Sequence, residues 1–342
     1  WQWTIDDLYA DGRNVKALED AAGQVKTALG LPADYKFKYT VTLYYPSVGC
    51  NFGDVDGDGV SENFNNYEDR VKVMEWYIDE IEKIDAACNF SNIELVGYYW
   101  WHEAIELKDT ESKDLLNAIS DKVHEVGKTF FWIPYYCSTG YSQWAEYGFD
   151  VACMQPNYVF NAEADYARVV NCANLTALYG MGFEMEIDGP SLTQELFYKK
   201  YMQYLGSGAE YGYMNDTIVM YYQAFTIFAE AAMSKSNMAR NVYDQTYHFI
   251  KGDLDSCPKA IDAVKAEIAV NTPYTGMIEF ENDLPRELQI LSMPENGTVS
   301  MNSDGTFFFY PAKDFTGEIK FTYAYNEFLG WSEPCEVSIT VK

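Results

Sequence analysis

Hydrophobic positions along this chain fall into two alternating rhythms. Leu8, Val15, Leu18, Ala22, Val25 and Leu29 recur at helical spacing, which predicts a helix over 5–29 closed by Gly30. Residues 37–46 (FKYTVTLYYP) are dense in β-branched and aromatic side chains and predict a strand that ends at proline. The alternation continues with a helix over 67–88, a strand over 93–101, a helix over 112–126 and a strand over 129–136. After a connection at 140–147 come a strand at 149–158, a helix at 162–179 and a strand at 182–188. A helix over 194–205, a short strand at 211–214 and a long helix over 218–238 complete the series. Past a Thr-Pro-rich connection at 268–276, turn signals at Asn296-Gly297 and Ser303-Asp304-Gly305 separate alternating strands that run to Val341.

Strands that alternate with amphipathic helices imply a parallel sheet covered on its faces. No GxGxxG or GxxxxGK[ST] follows any strand, which argues against dinucleotide-binding and P-loop folds. Polar and aromatic residues collect at the strand C-termini, at Tyr45, Glu103, Tyr136, Asn157, Asp188 and Asn215. Barrel enzymes place their chemistry at that end of the sheet. The expected fold is therefore α/β, a (β/α)8 TIM-type barrel over 1–270, with a small all-β immunoglobulin-like sandwich over 271–342. Only six barrel strands are visible, so the first two are expected upstream of Trp1 or from a partner chain. A start on Trp1 without an initiator Met fits an excised or processed chain.

The stretch Gly182-Phe183-Glu184-Met185-Glu186-Ile187-Asp188 alternates apolar residues with acids, so a strand would point all three carboxylates to one face. Like charges are costly in an ordinary core, and the face is expected to line a polar cavity. An exposed edge strand with its acids in water is the plainer alternative. Asp and Glu number 52 against 24 Lys and Arg, a net charge of -28 that repels nucleic acid and anionic membrane surfaces. No apolar run approaches the roughly 20 residues of a membrane span. Aromatic residues make up 17% of the chain, enough to fill a core and still line a sugar cleft. The seven cysteines are scattered with no CxxC pair, which argues against a zinc or redox motif and suggests mostly buried thiols with at most one disulfide.

In GDVDGDGVSEN, Asp54, Asp56 and Asp58 occupy positions 1, 3 and 5 of a D-x-D-x-D-G calcium loop. Gly59 supplies the sharp turn, the Val60 carbonyl falls at position 7, and Glu62 at position 9. Position 12 is Asn65, where a bidentate Glu is usual. A structural calcium of weakened affinity is expected, with a metal-free acidic turn as the alternative.

Two resemblances add to this. The runs GDVDGDGVS, ELVGYYWWHE, TFFWIPYY, GFDVACMQPNYVF, GFEMEID and EYGYM, in order over residues 1–252, resemble an uncharacterised family of secreted bacterial proteins classed with TIM-barrel glycosidases. NGTVSMNSDGTFFFYPAKDFTGEIKFTYAY, within 273–342, is similar to bacterial immunoglobulin- and cadherin-like modules of surface proteins. The resemblance implies an extracellular or cell-surface protein acting on a glycan by a retaining mechanism. By position in that barrel it implies Glu103 as acid/base and Glu186 as nucleophile, with Glu184 as the alternative nucleophile. Trp100, Trp101, Trp132, Tyr135 and Tyr136 are candidate sugar platforms, about half of them expected to face helices as core, and Tyr45, Tyr158 and Tyr213 are further candidate substrate-binding residues. Gln155 and Asn157 are candidates to bond sugar hydroxyls, and Asp188 and Asn215 are further candidate substrate-binding residues. A glycan-binding or adhesion protein without catalysis is the competing expectation.

Overall fold

The computed structural model describes residues 1–261 and 263–342, and the chain divides into two compact units, Trp1–Gln155 and Pro156–Lys342.

In the first unit the expected N-terminal helix is two helices, α1 (Gln2–Leu8) and α2 (Asn14–Leu29). The break falls at Asp11-Gly12, where Gly12 adopts φ 69°, a conformation that favours glycine. Then come β1 (Phe37–Leu43), α3 (Tyr67–Cys88), β2 (Ile93–Trp100), α4 (Ser112–Glu125), β3 (Thr129–Trp132) and β4 (Val151–Met154). Asn66 caps α3, its side chain accepting from the Glu68 N–H at 3.1 Å. Tyr39, Val41 and Leu43 of β1 are buried, with Val73, Met74, Tyr77, Ile78 and Ile81 of α3. Gly97 in β2 has no room for a side chain, since a Cβ there would lie 2.6 Å from the Thr129 carbonyl oxygen of β3. Glu19 of α2 anchors the turn before β2, its carboxylate accepting the N–H groups of Ser91, Asn92 and Ile93.

The second unit contains α5 (Ala167–Tyr179), β5 (Gly182–Glu186), α6 (Pro190–Thr193), α7 (Glu195–Tyr211), α8 (Tyr213–Asp216), β6 (Val219–Tyr222), α9 (Ile227–Met233) and α10 (Asn237–Lys251). The strand expected at 211–214 is instead the end of α7 and the start of α8, separated by Gly212 at φ 88°. The long helix expected over 218–238 is replaced by β6, a turn and α9. Val219–Tyr222 pairs in parallel with Phe183–Glu186, and this pairing overrides the local helical pattern. Tyr198, Tyr201, Tyr204 and Leu205 turn the buried face of α7 inward.

Strands β7 (Val264–Ile268), β8 (Tyr274–Met277), β9 (Glu287–Ser292), β10 (Gly297–Met301), β11 (Thr306–Pro311), β12 (Gly317–Asn326) and β13 (Cys335–Val341) complete the chain. Phe307, Phe309, Phe321, Tyr323, Val337, Ile339 and Val341 form their core.

Two fold expectations are corrected. The main sheet has six parallel strands in the order β1-β2-β3-β4-β5-β6, not the eight of the expected (β/α)8 barrel. Strand periodicity counts strands but carries no information on closure, and the count of eight came from the barrel template. The C-terminal part is a β-rich region with a three-stranded sheet, β10-β11-β8, and a four-stranded one, β7-β13-β12-β9, in place of an immunoglobulin-like sandwich. Its β7 pairs with β13 in parallel, a long-range pairing that hairpin turn signals cannot reveal. Cys153, Cys172 and Cys335 are buried, Cys88 is half-buried, and Cys50, Cys137 and Cys257 are exposed.

Candidate functional site

The connections that follow β1 and β2 enclose an open cleft of about 610 Å³, the size of a small-ligand site. Tyr44, Tyr45, Ser47 and Val48 come from the first connection, and Trp101, His102, Glu106, Lys108 and Asp109 from the second. Both connections leave the C-terminal ends of parallel strands, and the N–H of Trp101 continues the ladder by donating to the Leu43 carbonyl at 3.0 Å. Trp101 is 58% exposed although its neighbour Trp100 is core, so the alternation of β2 delivers one indole to the interior and the next to the cleft.

A buried ion network underlies this cleft. Arg70, from the first turn of α3, is 1% exposed and pairs with both Asp109 and Glu111. Tyr45 donates its hydroxyl to Asp109 at 2.9 Å and stacks on His102 with centroids 4.9 Å apart. Burial by itself would raise the Asp109 carboxyl, but hydrogen bonds from Arg70 and Tyr45 hold it below the usual carboxylate range. Burial and that same carboxylate push Tyr45 up to about 12. Tyr45 is thereby locked as a neutral donor at the cleft wall. The resulting surface presents aromatic faces beside a few fixed polar groups, the general form of a carbohydrate-binding cleft.

The structure brings only two sequence candidates, Tyr45 and Trp101, into this cleft. Glu103 follows two residues later and is exposed, so the apolar enclosure implied by its aromatic neighbours is missing. Its backbone carbonyl accepts from Tyr135 at 3.0 Å. Trp132 is corrected to core: it is fully buried, stacks on Phe149 and donates Nε1–H to the His102 carbonyl at 2.8 Å. Tyr136 is half-buried, and Gln155 spends its amide on the Ile133 carbonyl at 3.1 Å. Ser47, His102, Glu106, Lys108 and Asp109 were not foreseen; the polar run Glu106–Ser112 directly after a strand was the available signal.

In the second unit Glu184 and Glu186 of β5 are buried, which overturns the exposed edge strand. Glu186 is 1% exposed. Its Oε1 accepts from the Asn157 N–H at 3.1 Å, and its Oε2 accepts from the Tyr158 N–H at 3.2 Å and the Tyr204 hydroxyl at 2.6 Å. Burial and the Glu186 charge raise Tyr204 well above its ordinary value. Glu184 is 7% exposed. Asn157 reaches Glu186 through its backbone, at φ 49°. Tyr158 is corrected to an interior residue: its hydroxyl donates to Gln203 at 2.6 Å and the Lys200 ammonium lies 3.9 Å from its ring centre. Tyr213 is likewise core, stacked 4.0 Å from Phe183, and Asn215 is exposed on α8 and not at a strand end. Asp188, half-buried beyond β5, has a carboxyl raised by burial.

Asp54, Asp56 and Asp58 do converge, with one carboxylate oxygen of each lying within 4.8 Å of the others. Asp54 accepts from the N–H groups of Gly57 and Gly59 at 2.7 and 2.8 Å, which curls the loop around them. Glu62 is buried and, with Asp56, takes a hydrogen bond from the Lys72 ammonium, at 3.0 and 2.8 Å. The donor set is hard oxygen and fits calcium; Lys72 already neutralises part of it.

This arrangement defines a class: a parallel α/β region with an aromatic cleft at its strand ends, followed by a β-rich region. Residues 1–248 match the family described as domain of unknown function DUF4855, and the chain belongs to it. Residues 276–342 match the cadherin-like domain family. No curated protein matches the chain. Among solved structures it is similar to the chitinase ChiW from Paenibacillus sp. str. FPU-7, a cell-surface-expressed multi-modular enzyme, with 12% identity and TM-score 0.39 over 99% of this chain and 38% of that one. It is also similar to the endo-fucoidan hydrolase MfFcnA4 of glycoside hydrolase family 107, with 11% identity and TM-score 0.30 over 79% of this chain and 60% of that one. The chain thus spans less than two thirds of either, and at such scores the likeness carries no argument about its activity.

Proposed function

We propose that this chain is a carbohydrate-active protein whose sugar cleft is the one between Tyr45 and Trp101. The observation that carries this is the half-exposed Trp101 indole facing a polar-rimmed cleft whose floor is fixed by the Arg70–Asp109–Tyr45 network. Sugar rings stack their C–H faces on such indoles while fixed polar groups select hydroxyls. Titration calorimetry of the intact chain with cellohexaose, xylohexaose, laminarihexaose and chitohexaose tests it. One of them binds, and Trp101→Ala weakens that binding at least tenfold. Equal affinity in the variant, or no binding to any, rejects the cleft.

A second, finer reading is hydrolysis with retention. It is favoured by the three hydrogen-bond donors that hold the Glu186 carboxylate in one orientation. In it Glu186 attacks the anomeric carbon and Glu184 is the reserve nucleophile. Glu186→Gln would abolish release of reducing ends while leaving the circular dichroism spectrum intact. Undiminished release from that variant removes Glu186 from the mechanism. The cadherin-like match supports a secreted or surface location, and the converging aspartates support a structural calcium.

A further inference from the structure

The cleft between Tyr45 and Trp101 contains a polar ring that is fixed in place and has spent none of its hydrogen-bonding capacity. His102 is half-buried at the cleft wall and stacks on Tyr45, with ring centroids 4.9 Å apart and planes 19° from parallel. Tyr45 is kept from swinging away because its hydroxyl donates to Asp109 at 2.9 Å. The backbone is held as well, since the His102 carbonyl accepts from Trp132 Nε1–H at 2.8 Å. Neither imidazole nitrogen has a hydrogen-bond partner among the described residues. The other two of the three histidines differ: His124 is paired with Asp150 at 2.9 Å and His248 with Asp253 at 3.0 Å. Besides the cleft, His102 borders a void of about 10 Å³ walled chiefly by Trp100, Ile105, Leu115 and Leu116. Those apolar walls offer the imidazole no partner, which leaves the cleft of about 610 Å³ as the place to meet one.

We propose that His102 is the specificity-determining residue of this cleft and that it reads a hydroxyl of a neutral sugar. A neutral imidazole has one nitrogen that donates and one that accepts, and a sugar hydroxyl does both. Trp101 supplies stacking, which tolerates many pyranoses, and His102 supplies a directed bond, which does not. The ring is anchored at its plane and at its backbone before a ligand arrives, so little side-chain freedom is lost on binding. Arg70 acts at one remove: it holds Asp109, Asp109 holds Tyr45, and Tyr45 holds the imidazole plane.

The inference rests on reading the cleft as a sugar site, and its test separates the two. The intact chain is titrated with each of the four hexasaccharides while its imidazole signals are followed by NMR. The His102 signals, assigned by their loss in His102→Phe, shift on saturation with the sugar that binds. Those of His124 and His248, both paired with aspartates, stay in place. Calorimetry compares His102→Phe, which keeps a flat ring on Tyr45 without the nitrogens, with His102→Gln, which restores a donor and an acceptor. His102→Phe melts with wild type and binds about tenfold more weakly, and His102→Gln recovers part of the loss. If His102→Phe binds as tightly as wild type while Trp101→Ala still weakens binding, His102 is a packing residue and the sugar cleft stands without it. Unmoved His102 signals in a wild-type chain that binds overturn the inference in the same way, whether or not the variants fold. A wild-type chain that binds none of the four brings down the cleft reading itself, and this inference with it.

Discussion

Arg70 shows how much of a cleft can depend on a residue outside it. Its guanidinium is buried against Asp109 and Glu111, and Asp109 in turn fixes the Tyr45 hydroxyl. Replacing one member of a buried pair leaves the other charge without compensation, so Arg70→Met is expected to cost about 3–5 kcal/mol in urea denaturation. A loss well under about 1 kcal/mol would mean that the network is no more than a surface pair. The pH dependence follows from Asp109, whose carboxyl is lowered on folding. A lowered value stabilises the folded chain fully above the ordinary 3.8, and that contribution is lost as the pH falls through the lower folded value. Asp109→Asn is therefore less stable than wild type at pH 7, with a gap that narrows in melts taken below pH 3.8. Sequence alternation placed Trp101 and Tyr45 at strand ends, and both line the cleft, because a strand end fixes which side chains emerge. It could not separate Trp101 from Trp132 or Tyr213. Whether a ring meets solvent or Phe149 or Phe183 depends on partners far away in the chain.

At the scale of elements, helix α3 and strands β1 and β2 were legible because caps, proline and β-branched runs agreed with the final packing. The helix expected over 218–238 was not legible: Val219–Tyr222 has both helical spacing and strand-forming side chains, and pairing with β5 decided between them. The loop over 54–62 belongs to this scale as well. Its three aspartates converge, but Lys72 from α3 reaches Asp56 and Glu62 and acts as an internal cation. Millimolar calcium is expected to raise the melting temperature, and Asp58→Asn to remove the effect. Lys72→Met should tighten calcium, since the ion no longer competes with the ammonium for those oxygens. Terbium luminescence titration measures both variants. A melt indifferent to calcium and chelator would leave Lys72 as the loop's own counter-ion.

Across the whole molecule, charge constrains the ligand. The chain carries -28, so a polyanionic glycan approaches against its field. Within the cleft the balance is closer to neutral: Arg70 compensates Asp109, and Glu106 stands near Lys108. A ligand in this cleft would be held by stacking and hydrogen bonds, while the surrounding surface repels negative ligands. Screening shortens that repulsion to about 8 Å at physiological ionic strength. Affinity for a neutral hexasaccharide should then stay nearly constant between low and high salt. A sulfated or uronic acid oligosaccharide should bind more weakly at low salt and recover as salt is added. Calorimetry at two sodium chloride concentrations separates these trends. If instead an acidic glycan binds tightly at low salt and is released by salt, then Lys108 and its neighbours form a cationic site, and the neutral-sugar assignment fails.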